Sequence, residues 1–529
     1  MIASEVLYAE FDIDKGSTLR ASFPTAPDEL QKTVHRTPEF FADMMLPEGV
    51  HNREQDYTVF FIHKDSEVKY CLSVVKTMHD ANVRRGARIK AVAICSNYHF
   101  CFAFKDILNV AIDKLFALGS NESVSSATAV LSSLFDVINS VDVSGVTNLQ
   151  KSEVEVRLLK RTMCAKPLGG PVHTSDESLE YTTHALWDDL TIPLKIKLGN
   201  TQDQHEEGSL IDLIAKFGDQ TMQIYNAVLT GSRVILLGYG LPAGKVCNYV
   251  LSTSALLCPP LVGVIHRQHP YANLTDLAFL SVPGYIAGVT NPMFKGRKEW
   301  WDMHCDLATG DILVAHPLEK DDADAIDHDF ILQVMDGIEA GFSESWVRCM
   351  FEDYTRQNIV DIATGEASFV DVDAQGKRTA VNHKRITKWA RTENYDRFVR
   401  ARKEAPPTTP AFDPKASGGV DLKRHLRTLM HEEVPDDAHL ERIYADFVSL
   451  LTSEDELKEL LSYIPRSKGG IHVVAQGLFH RSISVKYNTI VLLKRLESFD
   501  STKDVVHALN PFVATTYSQL LTTVFEPKR

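Results

Sequence analysis

The run VLYAEFDIDKGSTLRASF, residues 6–23, decides the fold. Leu7, Ala9, Phe11 and Ile13 alternate with Tyr8, Glu10 and Asp12, and a period of two over this length predicts a half-buried strand. Lys15 and Gly16 supply a turn, and residues 18–23 return as a second strand, so the whole predicts a β-hairpin. Three more strand-like runs follow: YTVFFIHK (57–64), KYCLSVVK (69–76) and IKAVAICS (89–96). Two segments with apolar residues at helical spacing then close the unit. Ile107, Val110, Ala111, Leu115 and Leu118 mark the first; Val124, Ala127, Leu131, Leu134, Phe135 and Ile138 mark the second. Five strands with helices packed on them predict an α/β layer over residues 1–143.

Downstream, residues 144–190 lose this pattern. Pro167, Gly169, Gly170 and Pro171 stand among many hydroxyl and acidic side chains, so the segment reads as a linker carrying one short strand at 154–161. A second α/β domain is expected over 191–345. It would open with a strand at 192–199, followed by helices around LIDLIAKF (210–217) and MQIYNAVLTG (222–231). A strand RVILLG (233–238), a helix KVCNYVLSTSALL (245–257) and a short strand LVGVI (261–265) come next. Strands alternating with helices predict a mostly parallel sheet covered on both faces. Beyond about residue 326 the pattern is helical, and residues 346–529 form a third, mostly helical domain. A Pro-rich break at 404–419 interrupts it, and Leu492, Leu493, Leu496 and Phe499 mark an amphipathic helix near its end. The fold class is therefore α/β, with two α/β lobes followed by a helical one.

The bulk composition narrows the function. The 529 residues carry a formal net charge of -14 with 44% hydrophobic and 24% charged residues, which is ordinary globular composition. An acidic balance argues against a nucleic-acid binder and against anionic-membrane binding through the protein as a whole. The eight cysteines are scattered without a CxxC pair, so no zinc ribbon or thioredoxin-like centre is expected. The N-terminal residues lack a basic region followed by an apolar one, and no apolar run reaches about 18–20 residues. The expected location is the cytoplasm.

Chemical motifs fail one by one. RVILLGYGLPAGKV (233–246) resembles a P-loop, but Tyr239 occupies the glycine position and Val246 replaces the magnesium-binding hydroxyl, leaving a tight strand-to-helix turn. DVDAQGKRTAVN (371–382) begins like a calcium loop, yet Asn382 stands where a bidentate Glu is needed, so it reads as a polar turn between strands. The acidic run 319–329 suits a solvated loop before a helix. The histidines, including His304, His472 and His480, show no ligand spacing. No catalytic residue, metal site or cofactor is predicted. The stretch 377–403 carries ten Lys or Arg residues, among them Arg385, Lys388, Arg391, Arg397, Arg400 and Arg402. It reads either as a basic face toward lipid or an acidic partner, or as a solvated helix balancing the acidic remainder.

Three runs are more distinctive, and a fourth near the C-terminus adds a weaker match. AEFDIDKGSTLR (9–20) and MLPEGVHNREQDYTVFF (45–61) resemble the N-terminal docking domain of the fungal Arf-interacting proteins, a branch of the DENN superfamily. PGYIAGVTNPMFKGRKEWWDMHCDLATGDI (283–312) is similar to the central DENN segment of that branch, and GLFHRSISVKYNTIVLLKRLESF (477–499) to the closing helices of polarity-axis-stabilising DENN proteins. Tyr57 stands where a tryptophan is expected. The resemblance implies a longin-like upstream lobe, a linker, a central α/β DENN lobe and a helical downstream lobe. It also implies a small GTPase of the Arf or Rab type as partner, alongside polarity-complex proteins, with peripheral recruitment to membranes at sites of polarised growth. Under this resemblance the chain is an adaptor or effector, or alternatively a guanine-nucleotide exchange factor. The partner-binding candidates are Asp12, Gly16, Arg53, Asp56, Asn291 and Trp300. Each also has a packing explanation: a hairpin turn for Asp12 and Gly16, an anchor on the sheet for Trp300, internal hydrogen bonding for Arg53, Asp56 and Asn291. A metabolic enzyme with an unrecognised site is the third reading.

Overall fold

The computed structural model describes residues 1–12, 14–64, 67–80, 86–119, 123–143, 180–197, 207–316, 323–364, 372–404, 422–430, 436–464, 471–507 and 509–525. Two compact units are present, one comprising 1–150, 177–320 and 388–395, the other 151–176, 321–387 and 396–529. The strand expected at 154–161 lies outside the described residues.

In the first unit, β1 (Ala3–Asp12), β2 (Gly16–Phe23), β3 (Gln55–Lys64), β4 (Glu67–His79) and β5 (Ala87–Ser96) form a five-stranded antiparallel sheet of order β2-β1-β5-β4-β3. The register runs Val6↔Phe23 to Asp12↔Gly16, shifting between Tyr8 and Ala9. The half-buried alternation read along β1 does not hold: Glu5 to Ala9 are all buried and Glu10 to Asp12 are all partly exposed. Leu7, Tyr8 and Ala9 are all buried, because β1 lies between two strands and both faces of its middle are covered. Between the strands lies a helix that periodicity did not reveal, α1 (Pro38–Met45). Thr37 accepts from the Phe40 amide at 3.3 Å and Pro38 occupies the first turn, a start signal in a helix too short to show a period. Helices α2 (Lys105–Ala117) and α3 (Val124–Ser140) bury Ile107, Leu108, Ala111, Ile112, Leu115, Leu131, Leu134 and Ile138 in the same core.

The chain leaves the connecting segment earlier than composition suggests. Residues expected in the linker form β6 (Glu180–Trp187), which pairs with β7 (Leu190–Lys197) as a hairpin. Ala185, Trp187, Ile192, Leu194 and Ile196 alternate inward and join the first core. The strand read at 192–199 therefore completes the N-terminal lobe; it does not open the central sheet.

The second lobe of this unit holds α4 (Leu210–Phe217), α5 (Thr221–Leu229), β8 (Val234–Leu237), α6 (Ala243–Ala255), β9 (Gln268–His269), β10 (Ile286–Val289), β11 (Met303–Asp306) and β12 (Ile312–Val314). The sheet order is β12-β11-β8-β10-β9, parallel except for the antiparallel edge strand β12. Strands β8, β10 and β11 are buried at every residue, as central parallel strands are, and β8 and β10 are the near-continuous apolar runs this needs, while β11 buries His304 and Asp306. No strand forms at 261–265. Gly263 adopts φ +89° in the left-handed region, which ends extended backbone, and Val264–Arg267 is a 3-10 turn; pairing begins only at Gln268.

The second unit is helical throughout its described elements. It contains α7 (Asp324–Glu339), α8 (Glu344–Thr355), a π-turn at Arg356–Val360 and the first part of α9 (Val372–Trp389). The calcium-like run 371–382 is thus helix from residue 372, not a turn between strands. Ala374, Gln375, Lys377 and Arg378 are residue types that favour that state. Two residues read as solvent-facing are core here. Asp327 and Arg385 are 3% and 1% exposed, and Arg385 Nη1 donates to Asp327 Oδ1 and Oδ2 at 2.8 and 3.1 Å. Arg385 also donates through Nε to Asn382 Oδ1 at 2.7 Å and through Nη2 to the Tyr354 hydroxyl at 3.0 Å. A separate apolar core joins α11 (Leu422–Met430), α12 (Asp437–Leu450), α13 (Glu454–Tyr463), α14 (Ile483–Ser498) and α15 (Pro511–Phe525), with α10 (Glu393–Glu404) preceding them in the chain.

Candidate functional site

The two lobes of the first unit share one apolar core. Ala243, Cys247 and Leu251 of α6, with Ile265 and Tyr271, are buried among the side chains of the first sheet. Polar pairing then fixes the seam. Helix α6 begins without a side-chain cap from its own neighbourhood. Its exposed donors are met across the seam by Asp56 of β3, whose Oδ2 accepts from the Ala243 amide at 2.8 Å and whose Oδ1 accepts from the Gly244 amide at 3.1 Å. Free N–H groups at a helix start attract anions, and here a carboxylate of the chain already fills the position a phosphate would take in a P-loop. The failed P-loop motif is a docking turn between lobes. Gly244 is required for a second reason: a Cβ there would lie 2.3 Å from Tyr57 Cε1.

Tyr57 donates to Asn248 Oδ1 at 3.0 Å, and Lys105 Nζ lies 3.6 Å from the centre of its ring. Burial pushes the Tyr57 phenol up and the Lys105 ammonium down from their ordinary values. Arg53 Nη2 donates to the Gly240 carbonyl at 2.6 Å, Asn291 Nδ2 to Glu48 Oε1 at 3.2 Å, and the Glu48 amide to the Tyr271 hydroxyl at 3.1 Å. Three of the sequence candidates, Arg53, Asp56 and Asn291, thus converge on one seam, where their polar atoms serve lobe-to-lobe pairing.

Asp12 and Gly16 occupy the β1–β2 turn. Asp12 Oδ1 accepts from the Asp14 and Lys15 amides at 2.9 and 3.1 Å, which holds its carboxyl below the usual range, and Gly16 takes φ +77°. This turn lines a cleft of about 910 Å³ whose walls also include Glu10, Arg20, Asp43, Glu48, His51, Arg88 and the Tyr271–Thr275 region of the second lobe. Trp300 stands apart from the cleft. Half-buried in the central lobe, it packs against Phe294 with ring centroids 5.4 Å apart and lies under Arg297 at 5.6 Å. Neighbouring Trp301 is fully buried and donates to the Phe294 carbonyl at 3.0 Å.

Two exposed residues escaped the sequence reading. Tyr239 follows β8 and Met293 follows β10, at the carboxyl ends of adjacent parallel strands, and they are 65% and 56% exposed. In open α/β sheets ligands collect at that edge. The signal was present, an aromatic between two glycines and a Met after Asn-Pro, but only the sheet order shows that they follow adjacent strands. Among the described residues no group of His, Cys, Asp and Glu could hold a metal ion, and no helix is long and apolar enough to cross a membrane.

Residues 5–90 match the family described as the docking domain of Afi1 for Arf3 in vesicle trafficking, and residues 207–316 match the family described as stabilization of polarity axis. An AFI1-like protein of Schizosaccharomyces pombe is 23% identical, with 96% of each chain covered. ARF3-interacting protein 1 of Saccharomyces cerevisiae is 22% identical over 50% of this chain and 35% of its own length. DENN domain-containing protein 10 of Danio rerio is 31% identical over 20% of this chain and 31% of its own. The two matched segments lie one in each of the two lobes that meet at the Asp56 seam. Together with the full-length similarity to the fission-yeast protein, they support the fungal Arf-interacting and polarity-axis branch for this chain.

Proposed function

We propose that this chain docks a small GTPase of the Arf type and works as a DENN-type adaptor or effector in polarised membrane traffic. It would act in the cytoplasm, with recruitment to sites of growth. One observation carries the reading. The segment matching the Arf-docking domain contributes the loops around Asp12 and Glu48 to a cleft whose other wall comes from the segment matching the polarity-axis family. Binding by such a surface depends on shape, not on a reactive group, which agrees with a seam whose carboxylates and amides are paired internally. Tyr239 and Met293, rigid or adaptable apolar side chains beside this seam, are proposed as anchors. A GTPase of the Rab type is the alternative partner.

The test is binding of the purified chain to an Arf-type GTPase loaded with a GTP analogue, loaded with GDP, or free of nucleotide. An adaptor or effector favours the GTP-analogue form. Tyr239→Asp and Met293→Asp should each weaken that binding by about tenfold or more while leaving the urea midpoint unchanged. Equal affinity for all three forms removes the effector reading.

A second reading is guanine-nucleotide exchange, favoured by the partial similarity to a DENN domain-containing protein. Exchange needs no proton-transfer residue, only tighter binding of the nucleotide-free state. Preference for the nucleotide-free GTPase with faster release of labelled GDP would establish it, and unchanged release would exclude it.

A further inference from the structure

Strand β3 runs along the seam between the lobes, with Asp56 near its start and His63 near its end. Across from His63 stand His266, just before β9, and His269, at its close. The His63 ring lies 5.3 Å from that of His269 and 6.4 Å from that of His266. His63 Nε2 donates to the Gln268 carbonyl at 3.3 Å, because a carbonyl only accepts. The buried Nε2 of His269 meets no hydrogen-bond partner among the described residues. Arg36, ahead of α1, acts on His269 together with His63, and both oppose a proton there. Arg36 itself lies over the Phe40 ring at 5.0 Å, and Arg267 donates to the Gly284 and Val228 carbonyls, each at 2.8 Å. Lys64 Nζ is 2.8 Å from His35 Nε2, and its register partner on β4 is Glu67. Beside His269 the remaining neighbours are apolar, Ala287 of β10 in register and the Phe279 ring at 5.6 Å. The stretches that supply these basic groups, residues 31–38, 57–64 and 262–275, hold no Asp or Glu.

A proton on His269 therefore meets positive neighbours, whereas the same ring released to water takes its proton freely. Mild acid then favours any state in which the ring is released. Gln268 decides where the seam gives way. Its side chain donates to the Val250 carbonyl of α6 at 2.8 Å, which anchors β9 to its own lobe, so the break falls between β9 and β3. Two residues beyond His269, Tyr271 takes up the Glu48 amide and begins the second-lobe wall of the cleft. We propose that the His63–His266–His269 cluster is an acid-sensitive latch, which lets β9 part from β3 in mild acid, draws the Tyr271–Thr275 wall away from the cleft and releases a docked GTPase. The opposite end of the seam, where Asp56 accepts from two amides of α6, holds no imidazole and acts as the hinge. The latch stands on the geometry of the seam; its consequence for docking rests on the GTPase reading.

Amide hydrogen exchange of the full chain, followed by peptide mass spectrometry between pH 8 and pH 5 with intrinsic rates divided out, tests it. Peptides covering residues 57–64 and 262–275 should open about thirtyfold more often at pH 5, the gain from one ring that is kept unprotonated only while closed. Peptides from β1 and β5, in the middle of the first sheet, should change far less. His269→Phe and His269→Gln do not titrate in this range, and each should abolish the gain. A gain spread evenly over the chain, a gain retained in either folded variant, or no gain at all overturns the latch. Affinity for an Arf-type GTPase loaded with a GTP analogue is measured in parallel. It should fall toward pH 5 in wild type and hold in His269→Phe. Equal loss in both overturns the role in docking. A chain that binds no GTPase at either pH removes the GTPase reading instead, and the hydrogen-exchange result still decides the latch.

Discussion

Asp56 is 6% exposed, and it spends both carboxylate oxygens on amides of α6. Its removal leaves two buried donors unpaired, so Asp56→Ala should cost about 1–3 kcal/mol in chemical denaturation, with Asp56→Asn in between because it keeps one acceptor. Lys90 shows the opposite solution for a buried charge. At 2% exposure it donates to the Leu115 carbonyl at 3.0 Å and lies 3.6 Å from Glu10. Burial alone would raise the Glu10 carboxyl, but hydrogen bonds from Tyr8 and Arg20 and the charge on Lys90 hold it below its ordinary value. His269 supplies a clear pH signature. Burial first, then the charges of His63 and Arg36, bring it from 6.5 down to about 3. The folded chain keeps this ring neutral while the unfolded chain protonates it, so the unfolded state binds more protons below about pH 6.5 and stability falls with pH from there. At pH 5 the loss from this group should be about 2 kcal/mol. Urea midpoints measured between pH 8 and pH 5 should fall less steeply in His269→Phe, which keeps an aromatic ring against Phe279. An unchanged slope would rule this origin out.

Among whole elements, α9 shows why a charge pattern is wrongly read as surface, just as its first half was wrongly read as a turn. Ten basic residues between 377 and 403 are visible in sequence, but burial of any one depends on what lies across from it. Arg385 lies across from Asp327 on α7 and Tyr354 on α8. Removing one partner of a buried pair costs more than replacing both. Asp327→Ala should therefore destabilise by about 3–5 kcal/mol, and Asp327→Leu with Arg385→Met by much less. A double-mutant cycle in urea checks this, and additive losses would mean the pair is not coupled. The hairpin of β6 and β7 gives the complementary lesson. Its inward residues, Trp187, Ile192, Leu194 and Ile196, alternate as a strand should, so its second arm was legible. Its allegiance was not, because alternation reports that a face is apolar without naming what covers it.

For the molecule as a whole, the N-terminal lobe is not a self-sufficient domain. Its core includes Trp187 and Leu194 of the β6–β7 hairpin, and Ala243, Cys247, Leu251, Ile265 and Tyr271 from later in the chain. Residues 1–143 expressed alone should therefore lack fixed near-ultraviolet dichroism and aggregate, whereas residues 1–320 should unfold cooperatively. A sharply folded 1–143 fragment would show that the shared core is dispensable.

Sequence by itself determined the five strands of the first sheet, the helices behind them, the parallel character of the second sheet and the helical run after it. Each follows from local periodicity and from the backbone limits of Gly and Pro. Only tertiary structure decided that Asp56 caps a helix nearly two hundred residues away, that Arg53 and Asn291 join lobes, that Arg385 is buried, and that Tyr239 and Met293 follow adjacent strands of one sheet. A period fixes which side of an element is apolar; which distant segment meets that side is set by the packing of the whole chain.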